Sequence, residues 1–502
     1  MTRSLFDSLC IPVVETSAHQ ALLALKKAMK QARWIELRLD YLRSTKEMSQ
    51  LLSRMMAFKP GRHSLIFTLR RREAGGRFKG TMRSQLHWLK RAALLGQWLD
   101  LEIETLRREG TPVVRDLKRA GARVIVSYHN FKRTPVNLRE VAKELLVAKG
   151  NLIKIATQAN SMSDAVRLLG LQHDLAHKGH RSVILGMGAC GSSTRILGPS
   201  RGAEFTYASL NRRRESAPGQ WTTLELKNTF RIDHINSRTG IYGLLGCPLS
   251  HSLSPALYNS AFAHLRMNAV YLPFETRDLM DFPAWTKRLK VKGLSVTLPH
   301  KAKVMHFVSK EDPAARRVGV VNTLRQRRGR WLGYNTDVQG VEKPLRELGL
   351  DLKKKEVLLL GAGGAAQTVA AVLHQVGAKV LIYNRTRPAA RRLARRFEHG
   401  VIQRSQLRNR HFALIINATS VGMWPAVNQV PIDLDRMSAD VVFDLVYNPA
   451  DTRLLQEARR RNMRTLSGMK MFISQAEAQF RILTGRRLPI VVWKRVKGTD
   501  PP

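Results

Sequence analysis

Residues 1–235 alternate short apolar runs with stretches of helical periodicity, and they do so eight times. The runs fall at residues 9–14, 34–40, 64–70, 98–103, 123–129, 152–157, 182–188 and 205–210, each rich in apolar or β-branched residues. Segments such as 18–33 and 137–149 carry helical spacing between them. Eight strand–helix units in roughly 235 residues match the count and size of a (β/α)8 barrel, although a doubly wound sheet shares the alternation. In such a barrel chemistry sits at the C-terminal ends of the strands. Those ends carry Glu36 and Arg38, then Arg70, Glu102, His129 and Lys154.

Lys154 stands inside the apolar run Leu152-Ile153-Lys154-Ile155-Ala156. Burying an ammonium is costly unless it is paired or its pKa falls. A desolvated lysine is the usual amine nucleophile of Schiff-base chemistry. Taken alone, Lys154 could snorkel from a strand edge and His129 could be a hydrogen-bonded core histidine. Ending adjacent strands of one barrel, they read better as a pair. With them go Glu36-Leu37-Arg38-Leu39-Asp40, Phe67-Thr68-Leu69-Arg70, Asp100-Leu101-Glu102, Ser127-Tyr128-His129, Arg195 within 188–198, and Ser216-Ala217-Pro218-Gly219-Gln220. In this order the pieces resemble type I 3-dehydroquinate dehydratase. The resemblance implies a Schiff base between Lys154 and the C3 carbonyl of the substrate, with His129 moving the C2 proton. It implies Arg195 as the clamp on the substrate carboxylate, and Glu36, Arg38, Arg70, Ser216 and Gln220 as further substrate contacts. The family's glutamate directly before paired glycines is displaced by one here, Glu73 being followed by Ala74-Gly75-Gly76.

The pattern restarts near residue 240. Residues 241–246 are strand-like and lead through Ser252-Leu253-Ser254-Pro255 into a helix with proline in its first turn. The sharpest local signal is an apolar strand at 356–360 followed by Gly361-Ala362-Gly363-Gly364-Ala365-Ala366 and a helical stretch. This is a GxGxxA turn in strand–turn–helix context. The first glycine makes the turn, the second admits a pyrophosphate to backbone N–H groups, and the small third position lets helix and strand pack. The next strand ends in Asn384-Arg385-Thr386. An acidic residue there would hold the ribose hydroxyl of NAD, whereas Arg385 suits the 2′-phosphate of NADP.

Together with Gly293 to Lys301, Val321-Asn322-Thr323, Gly333 to Asp337, Asn417 to Met423, Asp444 to Pro449 and Gly468 through Gln475, this half resembles shikimate dehydrogenase. Lys301 and Asp337 are then the implied catalytic pair; alone they would read as an ordinary salt bridge. Ser252, Ser254, Thr297, Asn322 and Gln475 are implied substrate contacts. Gly361, Ala362, Gly363, Gly364, Ala365, Asn384, Arg385, Thr386, Thr419, Val446 and Gly468 are implied contacts of NADPH. Ser295 stands where many bacterial members carry asparagine.

The expected organisation is a barrel at 1–235, a substrate lobe at 240–340 completed by a C-terminal helix at 452–485, and a Rossmann cofactor lobe at 341–451. Beyond Arg487 the chain reads as a frayed tail. The net charge of +47 first suggests nucleic acid or an anionic membrane. It is spread evenly, however, +22 over residues 1–237 and +25 over 238–502, with no basic tail. Small anionic substrates fit it better than nucleic acid. No apolar run approaches a membrane span and the N-terminus lacks a signal pattern. Three scattered cysteines imply a reducing, cytoplasmic setting and no metal site. The expected function is a fused enzyme whose first product, 3-dehydroshikimate, feeds its second site. The rival readings are an impaired half, a second half acting on quinate or NAD, or a basic RNA- or membrane-associated protein.

Overall fold

The computed structural model describes residues 4–211, 217, 219–249 and 252–493. Among them the chain divides into two compact units, Met1–Ile241 with Arg266–Thr276 and Met280–Lys290, and Tyr242–Leu265 with Arg277–Leu279 and Val291–Pro502.

All eight runs of the first half are strands, within two residues of the expected bounds: β1 (Leu9–Val13), β2 (Trp34–Arg38), β3 (Ser64–Thr68), β4 (Trp98–Glu102), β5 (Arg123–Asn130), β6 (Leu152–Gln158), β7 (Ser182–Met187) and β8 (Thr206–Ser209). With β9 (Trp221–Thr222) they form one curled parallel sheet in the order β7-β6-β5-β4-β3-β2-β1-β8-β9. This is the strand order of a (β/α)8 barrel with its seam between β7 and β8. At the seam the Glu204 N–H donates to the Ser182 carbonyl over 2.9 Å.

Side chains alternate faces along a strand, so residues two apart share one. On the inward parity β2 to β6 each place an apolar residue before a polar one. Trp34 precedes Glu36 and Arg38, Ile66 precedes Thr68, Trp98 precedes Asp100 and Glu102, Ile125 precedes Ser127 and His129, and Leu152 precedes Lys154. Cys10, Trp34, Ile66, Trp98, Ile125, Leu152, Phe205 and Tyr207 belong to one buried apolar cluster. Trp34 packs against Trp98 and Phe205 at ring separations of 5.1 and 4.7 Å. A dry floor therefore lies under a charged layer.

From Gly240 onward the chain carries two six-stranded sheets. The first is built from β10 (Gly240–Gly246), β11 (Ala269–Glu275), β12 (Val291–Val296), β13 (Val308–Glu311), β14 (Thr323–Arg327) and β15 (Arg330–Tyr334), in the order β11-β10-β12-β14-β15-β13. The other is built from β16 (Glu356–Leu360), β17 (Lys379–Tyr383), β18 (Gly400–Val401), β19 (Arg410–Asn417), β20 (Met437–Asp444) and β21 (Arg464–Ser467). Its order β18-β17-β16-β19-β20-β21 reverses direction at β16, the switch point at which open α/β sheets bind ligands. Residues 452–485 are not one helix. They comprise a helix at Arg453–Arg460, strand β21 paired to β20, and a helix at Gly468–Thr484, so the Rossmann sheet extends to Ser467.

The helix after β7, Gly188–Leu197, lies against its strand through two glycines. A Cβ on Gly191 would stand 2.5 Å from the Gly186 carbonyl carbon. Gly191→Ala is expected to cost about 1–3 kcal/mol of overpacking. Denaturant unfolding followed by tryptophan fluorescence should show a lowered midpoint, and an unchanged midpoint would contradict this close approach.

Candidate active sites

The charged layer of the barrel is centred on Lys154. Its Nζ donates to Asp100 Oδ2 at 2.9 Å, to Tyr207 Oη at 2.8 Å and to Glu36 Oε1 at 3.4 Å. Glu36 also accepts from Thr68 Oγ1 at 2.7 Å. Asp100 further accepts from Arg70 at 2.9 Å and from Ser127 at 2.7 Å. Burial works against the Asp100 carboxylate, but Lys154 and Arg70 outweigh it and hold its pKa below the usual carboxylate range. Arg38 makes a two-pronged pair with Asp40, at 2.9 and 2.8 Å. Glu102 lies 3.7 Å from Arg70 Nε and accepts from the Arg71 N–H; burial pushes its carboxyl up to about 7.

His129 is opposite Ala156 in the β5–β6 register, two residues beyond the Ser127–Lys154 pairing. Its ring stacks on Phe131 with centroids 6.2 Å apart. Burial, and then the positive charges of Arg70 and Lys154, push its pKa well below the ordinary value. His129 is therefore a neutral imidazole at pH 7, able to accept a proton. Arg195 and Gln220 are both buried. Glu73 points outward, paired with Arg71 at 2.6 Å. Ser216 lies outside the described residues.

In the second unit Lys301 Nζ meets Asp337 Oδ2 at 2.6 Å. Asp337 opens the helix Asp337–Glu347, and its N–H donates to Asn335 Oδ1 at 3.0 Å. The side chain of Asn322 donates to Thr336 Oγ1 and accepts from the Thr336 N–H, each at 2.9 Å. Gln475 accepts a long bond from Thr336 Oγ1 at 3.5 Å. Ser252 Oγ accepts from the Ser254 N–H at 3.3 Å and bonds to Tyr447. Thr297 is half-buried at the end of β12.

The glycine turn lies beside this pair. Gly361 has φ +112° and its missing Cβ would press on the Ala418 carbonyl at 3.0 Å, so glycine is required there. The Cβ position of Gly363 has nothing within 4 Å, an open approach to the N-terminus of the helix Gly364–Gln375. That of Gly364 would lie 3.4 Å from Lys301 Cδ. Arg385 is exposed just past β17. Open backbone, a helix N-terminus and a cation at this distance along the chain fit a phosphorylated dinucleotide.

Asp444 holds the neighbouring loops. It accepts from Asn417 Nδ2 at 2.9 Å, the Val446 N–H at 3.0 Å and Thr452 Oγ1 at 2.6 Å. Asn417 in turn accepts from Thr419 Oγ1 at 2.7 Å. Gly468 fits only as glycine, its Cβ position being 2.5 Å from the Leu445 and Val446 carbonyls.

Sequence reasoning assigned no role to Asp100, Tyr207, Asp444 or Gln479. The first two share the inward parity of their strands, a signal that was available. Gln479 joins Tyr258 at 2.8 Å, Ser295 at 2.5 Å and Thr323 at 2.7 Å, partners far from it along the chain. No local pattern announces it.

Burial pushes the Asp444 carboxyl up to about 6, against its three hydrogen bonds. An acid whose pKa is higher folded than unfolded keeps its proton longer in the native state. Its protonation therefore favours the fold at low pH, and that contribution is lost as pH rises from about 4 to about 6. The loss is on the order of 3 kcal/mol. Asp444→Asn should remove this slope, so that the difference between variant and parent in urea unfolding changes between pH 4 and 6.5. A pH-independent difference would contradict it.

The type I 3-dehydroquinase family matches residues 9–237. The shikimate dehydrogenase substrate-binding domain matches 244–324, and the shikimate/quinate 5-dehydrogenase family matches 343–423. Among curated relatives, the chloroplastic bifunctional 3-dehydroquinate dehydratase/shikimate dehydrogenase of Arabidopsis thaliana is 32% identical over 96% of this chain and 82% of its own. A shikimate dehydrogenase (NADP(+)) of Geobacillus sp. is 38% identical over 51% of this chain and 99% of its own.

Proposed function

Since the chain belongs to the bifunctional 3-dehydroquinate dehydratase/shikimate dehydrogenase family, we propose that the two clusters described above are its two active sites, working on consecutive metabolites of the shikimate pathway. The observation that carries the reading is Lys154, an amine buried in the barrel and held by Asp100 and Glu36, with His129 at the end of the neighbouring strand.

In the first site Lys154 condenses with the C3 carbonyl of 3-dehydroquinate. The resulting iminium draws electrons from the neighbouring carbon and acidifies its proton. His129 takes that proton and returns it to the hydroxyl leaving C1 as water. Hydrolysis of the imine frees 3-dehydroshikimate and restores the lysine. Arg195 pairs with the substrate carboxylate; Arg38, Arg70, Glu36, Ser216 and Gln220 hold the ring.

In the second site 3-dehydroshikimate becomes shikimate. NADPH held at the glycine turn would supply the hydride. Lys301, oriented by Asp337, donates a proton to the oxygen on which charge develops. Ser252, Ser254, Thr297, Asn322 and Gln475 orient the carboxylate and hydroxyls. The 361–365 turn with Asn384, Arg385 and Thr386 would hold the cofactor's phosphates, and Thr419, Val446 and Gly468 would line its nicotinamide side. The domain limits are those of the expectation, with the Rossmann lobe carried to Ser467. No helix among the described residues is long and apolar enough to cross a membrane. The three cysteines, none of them in a disulfide, favour a reducing compartment such as the cytoplasm.

Assayed on separate substrates, Lys154→Ala should abolish dehydration of 3-dehydroquinate and spare reduction of 3-dehydroshikimate. Lys301→Ala should do the reverse, lowering kcat of reduction by about 10²- to 10⁴-fold. Loss of both activities in either variant, or of neither, would refute the assignment. Arg385→Ala should raise KM for NADPH about tenfold or more and leave KM for NADH nearly unchanged; equal effects on the two would remove the arginine from 2′-phosphate recognition.

A further inference from the structure

Tyr207 is not among the residues to which the sequence assigned a role, yet its hydroxyl is as close to Lys154 Nζ as any acceptor in the site, at 2.8 Å. The ring also lies against the cation, 4.7 Å from Nζ to its centroid. The hydroxyl has a second partner in Cys10, its register neighbour on β1. All three groups are buried.

The arithmetic of protons makes this contact consequential. An ammonium carries three N–H groups, and the site offers three acceptors: Asp100, Glu36 and Tyr207. Condensation of an ammonium with a carbonyl gives an iminium and water. Two of the three protons depart with the oxygen and one stays on nitrogen. Something beside Nζ has to carry protons from nitrogen to oxygen. An ionised carboxylate only accepts until it is itself protonated, and Asp100 is held strongly ionised by Lys154 and Arg70. A hydroxyl accepts and donates at once.

We propose that Tyr207 is a further catalytic residue of the first site, its hydroxyl twice accepting a proton from Lys154 Nζ while passing its own to the substrate oxygen, first as the amine attacks the carbonyl and again as that oxygen leaves the carbinolamine as water. The C–N bond forms as the carbonyl π-bond opens, and the C–O bond breaks as the nitrogen lone pair makes C=N. Tyr207 ends with the proton count it began with. Burial, followed by the nearby Glu36 charge, pushes its phenol well above the ordinary value. A standing tyrosinate is thereby disfavoured and a concerted hand-over favoured. The inference rests on the Schiff-base reading of Lys154.

The test is a single-turnover experiment on the full chain. Enzyme is mixed with 3-dehydroquinate and quenched with borohydride at successive times, and the reduced adduct on the Lys154 peptide is measured by mass spectrometry. Tyr207→Phe keeps the ring and loses only the hydroxyl. It should slow adduct formation and lower kcat about tenfold or more, with KM within about twofold of the parent. Reduction of 3-dehydroshikimate by the same preparation reports that the chain is folded. Cys10→Ala, which removes the hydroxyl's other partner, should leave the rate of adduct formation within about twofold. A parent-like rate in Tyr207→Phe would overturn the proposal, as would an equal slowing in Cys10→Ala, which would mark a packing effect. Absence of any adduct on Lys154 in the parent would overturn the Schiff-base reading itself.

Discussion

An ammonium buried among strand residues is tolerated only where acceptors meet it, because desolvation costs several kcal/mol per ion. At Lys154 two carboxylates and a hydroxyl do so, and much of the first unit follows from that requirement. The carboxylates need cations of their own, which places Arg70 on Asp100 and on Glu102. The layer as a whole needs a dry floor so that its pairs are not screened, and the tryptophans of β2 and β4 supply it. Removing one member of such a layer leaves another charge uncompensated. Its residues are therefore structural and chemical together, and a defect in one function is expected to be felt in the other.

The second unit solves a related problem with a different scaffold. There the ammonium of Lys301, the proposed proton donor, is held by a carboxylate at a helix start, and a Cβ added at Gly364, where the helix Gly364–Gln375 opens, would lie 3.4 Å from the lysine's Cδ. Around it a network of hydrogen-bonded side chains fixes the loops. Asp444 gathers Asn417, Val446 and Thr452, while Gln479 gathers Tyr258, Ser295 and Thr323. A hydride acceptor and a proton donor have to be held together for reduction, and rigid hydrogen-bonded loops meet that need. Because the product of one reaction is the substrate of the next, the pairing of these two scaffolds in one chain has a chemical reason.

The strands of the barrel were legible because β-branched and apolar runs are local signals, and their ends were right to within two residues. Lys154 and His129 stood out because each interrupts such a run with a group that needs a reason to be there. The glycine turn at 361–366 was legible because the backbone itself demands those residues: Gly361 is left-handed and close-packed, and Gly363 is open. What escaped was partnership across the chain. Asp100 and Tyr207 meet Lys154 only because the barrel curls, and Gln479 meets its partners only once the last helix has docked. The stretch 452–485, expected as one helix of the substrate lobe, is instead a helix, a strand and a helix. The strand's partner β20 lies some twenty residues upstream, so this pairing is non-local, and it carries the Rossmann sheet further along the chain.

The central claim is that one chain performs two consecutive reactions. The most direct measurement gives the purified protein 3-dehydroquinate and NADPH together and follows nicotinamide absorbance with no other enzyme present. The account requires NADPH to be oxidised after a lag in which 3-dehydroshikimate accumulates, with the approach to equilibrium forming one shikimate per NADPH consumed. If 3-dehydroshikimate supports oxidation and 3-dehydroquinate does not, the barrel is not the dehydratase described here. If neither supports it, the second site is wrong as well.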